Sequence, residues 1–401
     1  MAMTYSFSHS AQLLQASEIR EIFARIAGQP SVISLAGGQP AEEFFPAEAI
    51  AEAAARLTSR DKRYLQYGVT DGYAPLKEKI ADRMAQRGMT VRGASDLLVT
   101  TGSQQAIDLL ARVYLDRGDT VLVERPTFLS ALQSFTLREA DVVSVDTDEH
   151  GMVPGDLLRK ISEHKPKLVY VIPTFSNPTG YAWTIERRQA LLDACRSSGT
   201  LILEDDPYGE LYYEEAAGGL PSLFAMDKGA GHVIYTGSFS KTIAPAFRTG
   251  WCAGNADLIG MMARCKQAAD IHTSTIDQQL LNELLELSSF DFEQHLQLLR
   301  SQYSQRLNNM DALLKHQPWD GVRWAKPQGG MFLWLSLPPE VDAGELFHTA
   351  LAHGVAFVPG APFYADQPER HTLRLNFTHA GQEVAGEGIA RLSAALQGYQ
   401  F

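Results

Sequence analysis

Between about residues 96 and 254, short apolar runs alternate with stretches of helical periodicity. This alternation restricts the fold more than any other feature of the chain. The runs fall at 96–100, 120–124, 141–145, 167–173, 201–203, 232–235 and 250–254. Strands that alternate with helices predict a mostly parallel sheet covered on both faces. Ligands of such sheets sit beyond the carboxyl ends of the strands. Gly102, Phe128, Asn177, Asp205 and Lys241 each fall just after an apolar run, so five loops far apart in sequence would share one rim.

The residues on that rim carry chemistry. The loop after 232–235 reads TGSFSKTIAPAFRTGW and offers Ser238, Ser240, Lys241 and Arg248 within a short span. A lysine amine condenses with an aldehyde when unprotonated, and a cationic or desolvated setting lowers its pKa toward that state. Two serines and an arginine fork can grip a phosphate. An aldehyde and a phosphate on one small molecule describe pyridoxal 5′-phosphate. Gly102-Ser103-Gln104 opens a helix, whose free N–H groups and partial positive charge make either a good cap or a second phosphate seat. Glu204-Asp205-Asp206 closes a strand. Three carboxylates could bind a metal, yet no other acidic or histidine motif joins them. A carboxylate beside a pyridine nitrogen instead keeps that nitrogen protonated. Gly37-Gly38 marks a turn or a close ligand approach. In the alternating run 372–377, Arg374 shares a face with Thr372 and Asn376, away from the apolar set, which on the alternation alone reads as a solvated strand face.

These motifs, with Tyr64-Leu65-Gln66-Tyr67-Gly68, Asn177-Pro178-Thr179-Gly180, the Asp205-x-x-Tyr208 spacing and Leu373-Arg374-Leu375-Asn376-Phe377, resemble the fold-type I, class I/II aminotransferases. The resemblance is to the group with 2-aminoadipate, kynurenine and aromatic aminotransferases, and it runs from Ser17 to about Leu396. It implies an α/β fold: an N-terminal arm and helix (1–45), a large domain with a mostly parallel seven-stranded sheet (46–290) and a small α+β domain (291–401). It implies a pyridoxal phosphate cofactor held by Lys241, with Asp205 at the ring nitrogen and Tyr208 and Asn177 at the ring oxygen. Phe128 and Pro207 would cover the two ring faces. Gly102, Ser103, Gln104, Ser238, Ser240 and Arg248 would surround the phosphate. Tyr67 would reach the phosphate of a second subunit, which makes the expected assembly a homodimer with shared sites. Arg374, Asn177 and Gly38 would meet the substrate α-carboxylate, and Arg20, on a mobile N-terminal helix, a distal carboxylate. The implied reaction is ping-pong transfer of an amino group from an L-amino acid (2-aminoadipate, aromatic or aliphatic) to a 2-oxo acid such as 2-oxoglutarate.

Composition narrows the alternatives. The 401 residues carry 47 acidic and 35 basic side chains, a net charge of −12, and no long basic run, which argues against nucleic acid and anionic membranes as partners. The cysteines, Cys195, Cys252 and Cys265, form no CxxC pair, and the histidines lack metal-ligand spacing, so no metal site is expected. The first ten residues lack the apolar core of a secretory signal, and no apolar run reaches membrane length, so the expected location is the cytoplasm. Three rivals remain: a lyase or decarboxylase on the same scaffold, an aminotransferase-like regulator, and a non-catalytic relative.

Overall fold

The computed structural model describes residues 3, 5–14, 26, 28–29, 31–60 and 62–399. In chain order the strands are β1 (Ile33–Ser34), β2 (Leu97–Thr100), β3 (Thr120–Arg125), β4 (Asp141–Asp148), β5 (Gly151–Met152), β6 (Leu168–Val171), β7 (Leu201–Asp205), β8 (Val233–Ser238), β9 (Gly250–Ala253), β10 (Arg323–Trp324), β11 (Phe332–Ser336), β12 (Val355–Ala356), β13 (Val358–Pro359) and β14 (Thr372–Asn376).

The main sheet has the order β2-β9-β8-β7-β6-β3-β4-β5. The pairs β4/β3, β3/β6, β6/β7 and β7/β8 are parallel, whereas β9 runs antiparallel to both β8 and β2. The seven longer strands match the expected sheet, and the two-residue β5 adds an eighth at its edge. The run expected to stop at 145 continues to Asp148, because β5 folds back on it and supplies partners for Thr147 and Asp148. Helices cover both faces. Successive residues of β6 therefore enter different cores. Leu168 and Tyr170 pack with Ile107 and Leu110 of the helix Ser103–Tyr114, while Val169 and Val171 pack with Leu191 and Leu192 of the helix Ile185–Ser198. The latter helix begins where the Thr184 hydroxyl accepts from the Arg187 N–H and ends at Gly199 in the left-handed region.

A 24-residue helix, Phe292–Lys315, leads to the second sheet, an antiparallel array ordered β10-β11-β14-β13. The run 355–359 is not one strand. Val355–Ala356 pairs with the N-terminal β1, whereas Val358–Pro359 pairs with β14, and Phe357 lies between them, fully buried. Nor is β14 a half-solvated strand. All five of its residues are buried, including Thr372, Arg374 and Asn376, because the Leu35–Gln39 segment crosses its end, with the Asn376 N–H donating to the Leu35 carbonyl at 2.8 Å.

The main sheet meets the rim most tightly at Gly250, the first residue of β9. A Cβ there would stand 2.8 Å from the Gly102 carbonyl carbon and 2.9 Å from the Ser103 nitrogen, against backbone that cannot yield as a side chain would. Gly250→Ala should therefore destabilise the protein by about 1–3 kcal/mol in urea unfolding. Gly260→Ala, on an open helix face with nothing within 4 Å, should be neutral or raise stability by up to about 1 kcal/mol. Equal effects at the two positions would contradict this account of the packing.

Candidate active site

The carboxyl ends of the parallel strands open into a cavity of about 410 Å³. Its lining includes Gly38, Ser103, Gln104, Phe128, Asn177, Asp205, Pro207, Tyr208, Ser238, Ser240, Lys241, Arg248 and Arg374. Of the expected site residues that the structure describes, two are not on that wall. Gly102 sits directly behind it as the N-cap of the helix Ser103–Tyr114, at φ +75°, and a Cβ there would strike the Arg248 guanidinium at 2.5 Å. Tyr67 is 77% exposed, its ring 5.8 Å from that of His272, on a different part of the surface. Arg20 lies outside the described residues.

One end of the cavity is a cup of donors. The first N–H groups of the helix starting at Ser103 have no partner within the helix. Opposite them, the Ser240 N–H donates to Ser238 Oγ at 3.0 Å, and the two hydroxyls lie 2.9 Å apart. Arg248 closes the cup, with its guanidinium nitrogens 3.5 Å from Ser240 Oγ and 3.4 Å from the Thr101 carbonyl. The Gln104 side chain turns away from the cup. Its amide donates to the Ser130 carbonyl and Ser134 Oγ, both at 3.1 Å, which leaves its backbone N–H as its donor toward the cup. Behind the loop, Lys266 is fully buried and donates to Gln105 Oε1 at 2.7 Å, and the same oxygen accepts from the Thr101 N–H at 2.9 Å.

The three carboxylates at the end of β7 point in three directions. Glu204 accepts from the Leu223 and Phe224 N–H groups, each at 2.9 Å. Asp206 binds Arg87 at 2.6 Å and the Tyr235 phenol at 3.0 Å, and caps Gly209 N–H. Asp205 alone reaches the cavity. Its Oδ2 accepts from the Tyr170 phenol at 2.9 Å, while Oδ1 is buried without a partner among the described residues. Burial pushes its pKa up to about 7, which the Tyr170 hydrogen bond opposes and the neighbouring Asp206 charge reinforces.

Lys241 donates to the Gly38 carbonyl at 2.8 Å. Burial, then Arg248 and Arg374, lower its pKa to about 8. Arg374 donates to Asn177 Oδ1 at 2.6 Å and to the Ala36 carbonyl at 2.9 Å. Its Nε is buried without a partner, and its guanidinium lies 4.2 Å from the Phe332 ring centroid. Burial lowers its pKa to about 10, so it stays cationic at neutral pH. Sequence reasoning missed Leu129, Ser130, Gln133, Ile172, Phe332 and Phe363 on the wall, and Asn376, whose amide donates to the Gly37 carbonyl at 2.5 Å. Asn376 was visible only as a polar residue in the same alternating run as Arg374.

Residues 30–391 match the aminotransferase class I and II family. The chain is 39% identical to the 2-aminoadipate transaminase of Thermus thermophilus, over 99% of this chain and 98% of that one. It is also 39% identical to aromatic-amino-acid aminotransferase 1 of Thermococcus litoralis, over 98% and 94% of the two chains. A crystal structure of α-aminoadipate aminotransferase from Thermus thermophilus, complexed with N-(5′-phosphopyridoxyl)-L-leucine, superposes with a TM-score of 0.90 at 38% identity, covering 98% of this chain and 97% of that one. The chain belongs to the aminotransferase class I and II family and is a pyridoxal-phosphate-dependent aminotransferase with the fold-type I architecture. The cavity suits that cofactor on its own chemistry. It has a cup of N–H, hydroxyl and guanidinium donors for a phosphate, a partly buried lysine amine of lowered pKa for an aldehyde, and a carboxylate oxygen unpartnered among the described residues for a ring nitrogen.

In the apoprotein, Lys241 should react with acetic anhydride with a midpoint near pH 8. Arg248→Gln, which removes a neighbouring positive charge, should move that midpoint upward. An unfolded lysine keeps its proton to about 10.5, whereas folded Lys241 releases it near 8. The unfolded state thus binds more protons in this window, and the Lys241 contribution makes stability rise with pH across it. Lys241→Met should remove that rise in denaturant titrations.

Proposed function

We propose that this enzyme moves the amino group of an L-amino acid, either a dicarboxylate such as 2-aminoadipate or an aromatic or long aliphatic one, to a 2-oxo acid, with 2-oxoglutarate as acceptor. It works as a cytoplasmic homodimer. The observation that carries this reading is the placement of the partly buried Lys241 amine, its pKa lowered to about 8, in one cavity with the Arg374–Asn177 pair. Among the described residues, no helix is long and apolar enough to cross a membrane.

When bound, pyridoxal phosphate supplies an electron sink that acidifies the substrate Cα–H. Ser103, Gln104, Ser238, Ser240 and Arg248, with Gly102 behind them, would hold its phosphate, and Phe128 and Pro207 would cover its ring. Tyr208 and Asn177 would donate to the ring oxygen, and Asp205, through the unpartnered Oδ1, would keep a proton on the ring nitrogen. Arg374 receives the substrate α-carboxylate, oriented by its bonds to Asn177 and the Ala36 carbonyl, with Gly38 beside it. Lys241 Nζ, released from the cofactor, would be the group in the cavity that accepts the substrate Cα proton and gives it back. A lysine suits both transfers because a pKa near 8 lets it accept and give a proton near neutral pH.

Support for the dimer comes from the surface around Tyr67. Leu65, Tyr67 and Ile276 are exposed and share one shallow depression, an apolar patch suited to a two-fold partner. Tyr67 then donates to the phosphate in the neighbouring subunit. The division into an arm (1–45), a large domain (46–290) and a small domain (291–401) belongs to the same reading. It draws support from β1 pairing with β12 and from the separate sheets.

Lys241→Ala should abolish both amino transfer and borohydride-trapped cofactor. Mixed dimers of Lys241→Ala with Tyr67→Ala chains regain one intact site only if Tyr67 serves the opposite subunit. Activity in the mixture above that of either parent is therefore expected, and a simple average would refute the shared site. A panel of amino donors against 2-oxoglutarate, run on wild type and Arg20→Ala, tests specificity. The variant should lose about tenfold in kcat/KM for 2-aminoadipate and glutamate, the scale of one charged hydrogen bond, and little for phenylalanine or leucine. Release of ammonia or CO₂ without a 2-oxo acid would instead indicate a lyase or decarboxylase.

A further inference from the structure

Tyr170 stands inside β6, one strand away from Asp205, at the position paired with Leu203. It is fully buried, and the ring of Phe135 packs edge-on against it at 5.8 Å. Among the described residues its phenol has one polar partner, Asp205 Oδ2, at 2.9 Å. Burial and the facing Asp205 charge hold the phenol well above its ordinary pKa, so it stays protonated and donates. The consequence for Asp205 is an asymmetry. One carboxylate oxygen is occupied from within the protein, and the other, Oδ1, is buried with no partner among the described residues. A carboxylate free to rotate about its Cβ–Cγ bond would present either oxygen. With Oδ2 bound to a residue clamped in a strand and packed on both sides, only Oδ1 is left.

We propose that Tyr170 is a positioning residue for the cofactor: its phenol locks the Asp205 carboxylate so that Oδ1 faces the ring nitrogen, and keeps that carboxylate the weaker base of the pair. The inference rests on the reading of Asp205 given above. Without the phenol, a buried carboxylate gains proton affinity, and the shared proton moves from the ring nitrogen onto Asp205.

The test uses Tyr170→Phe, which removes only the hydroxyl, with pyridoxal phosphate labelled with ¹⁵N in the ring. In the variant holoenzyme the ring ¹⁵N chemical shift should move toward the value of unprotonated pyridine, a change that a space-filling role for Tyr170 would not produce. The apoprotein should bind pyridoxal phosphate about tenfold more weakly, the loss of one hydrogen bond to a charged group, while its affinity for inorganic phosphate stays unchanged. In an Asp205→Asn background, Tyr170→Phe should add no further change in cofactor affinity. An unmoved ¹⁵N shift, a parallel loss of phosphate affinity, or additive effects in the double variant would each overturn the inference. If Asp205→Asn itself leaves the ¹⁵N shift unchanged, the assignment of Asp205 fails and takes this one with it. If only Tyr170→Phe is silent, Tyr170 alone is refuted. Should Tyr170→Phe not fold, 3-fluorotyrosine at position 170 tests the same bond. As a more acidic donor, it should raise the pH at which the ring ¹⁵N signal passes from its protonated to its unprotonated value, and an unchanged midpoint would refute the role.

Discussion

Burial without neutralisation is what this molecule is organised to maintain. Lys241, Asp205 and Arg374 share one cavity, yet among the described residues none of the three forms an ion pair. Each is held by neutral groups instead: a carbonyl for Lys241, a phenol for Asp205, an amide oxygen and a carbonyl for Arg374. Taking such groups out of water is costly, and the cost appears as shifted pKa values, upward for the acid and downward for the two cations. A direct Lys241–Asp205 pair would have removed the cost and, with it, the readiness of both groups to engage a ligand. Strands that end at one level, with loops from several of them folding over, provide the dry space in which this is possible.

The neighbours of the site show how the rest of the fold absorbs charge. Glu204 and Asp206 flank Asp205 in sequence and are equally buried, but each is satisfied by backbone N–H groups or an arginine. The pleat sends alternate side chains to opposite faces, so a run of three acids at a strand end becomes two structural anchors around one reactive group. Lys266, also fully buried, is likewise absorbed, tied to Gln105 and Asp270 behind the Thr101 loop.

Much of this was legible in the sequence because the rim residues follow apolar runs, and strand ends are where pattern and chemistry coincide. Ser103, Asn177, Asp205 and Lys241 were readable in that way. What was not legible depends on contacts between distant segments. Arg374 read equally well as a solvated strand face, since period-two alternation cannot show that the Leu35–Gln39 segment covers β14. Local spacing could not choose between Asp205 and Asp206, and only the resemblance to known aminotransferases did. Tyr170 was hidden inside an apolar run, where a phenol looks like core until its partner across the sheet is known. Phe332 and Phe363 come from the second sheet, and nothing near them in sequence points to the first. Tyr67, put at the site only by the resemblance, stands apart from the cavity of its own chain.

The stretch from Ala36 to Gly38 has a further consequence. Its first carbonyl holds the guanidinium of Arg374, and its last, two residues on, holds the amine of Lys241. A single short tether thus links the group proposed to orient a substrate to the group proposed to react with it. The same tether continues from β1, which is stitched to β12 near the other end of the chain. Any disturbance of the leading segment, whether an altered loop, a graft from a homologue or a proteolytic nick, would reach recognition and reactivity together, so the two cannot be re-engineered independently from that side of the molecule.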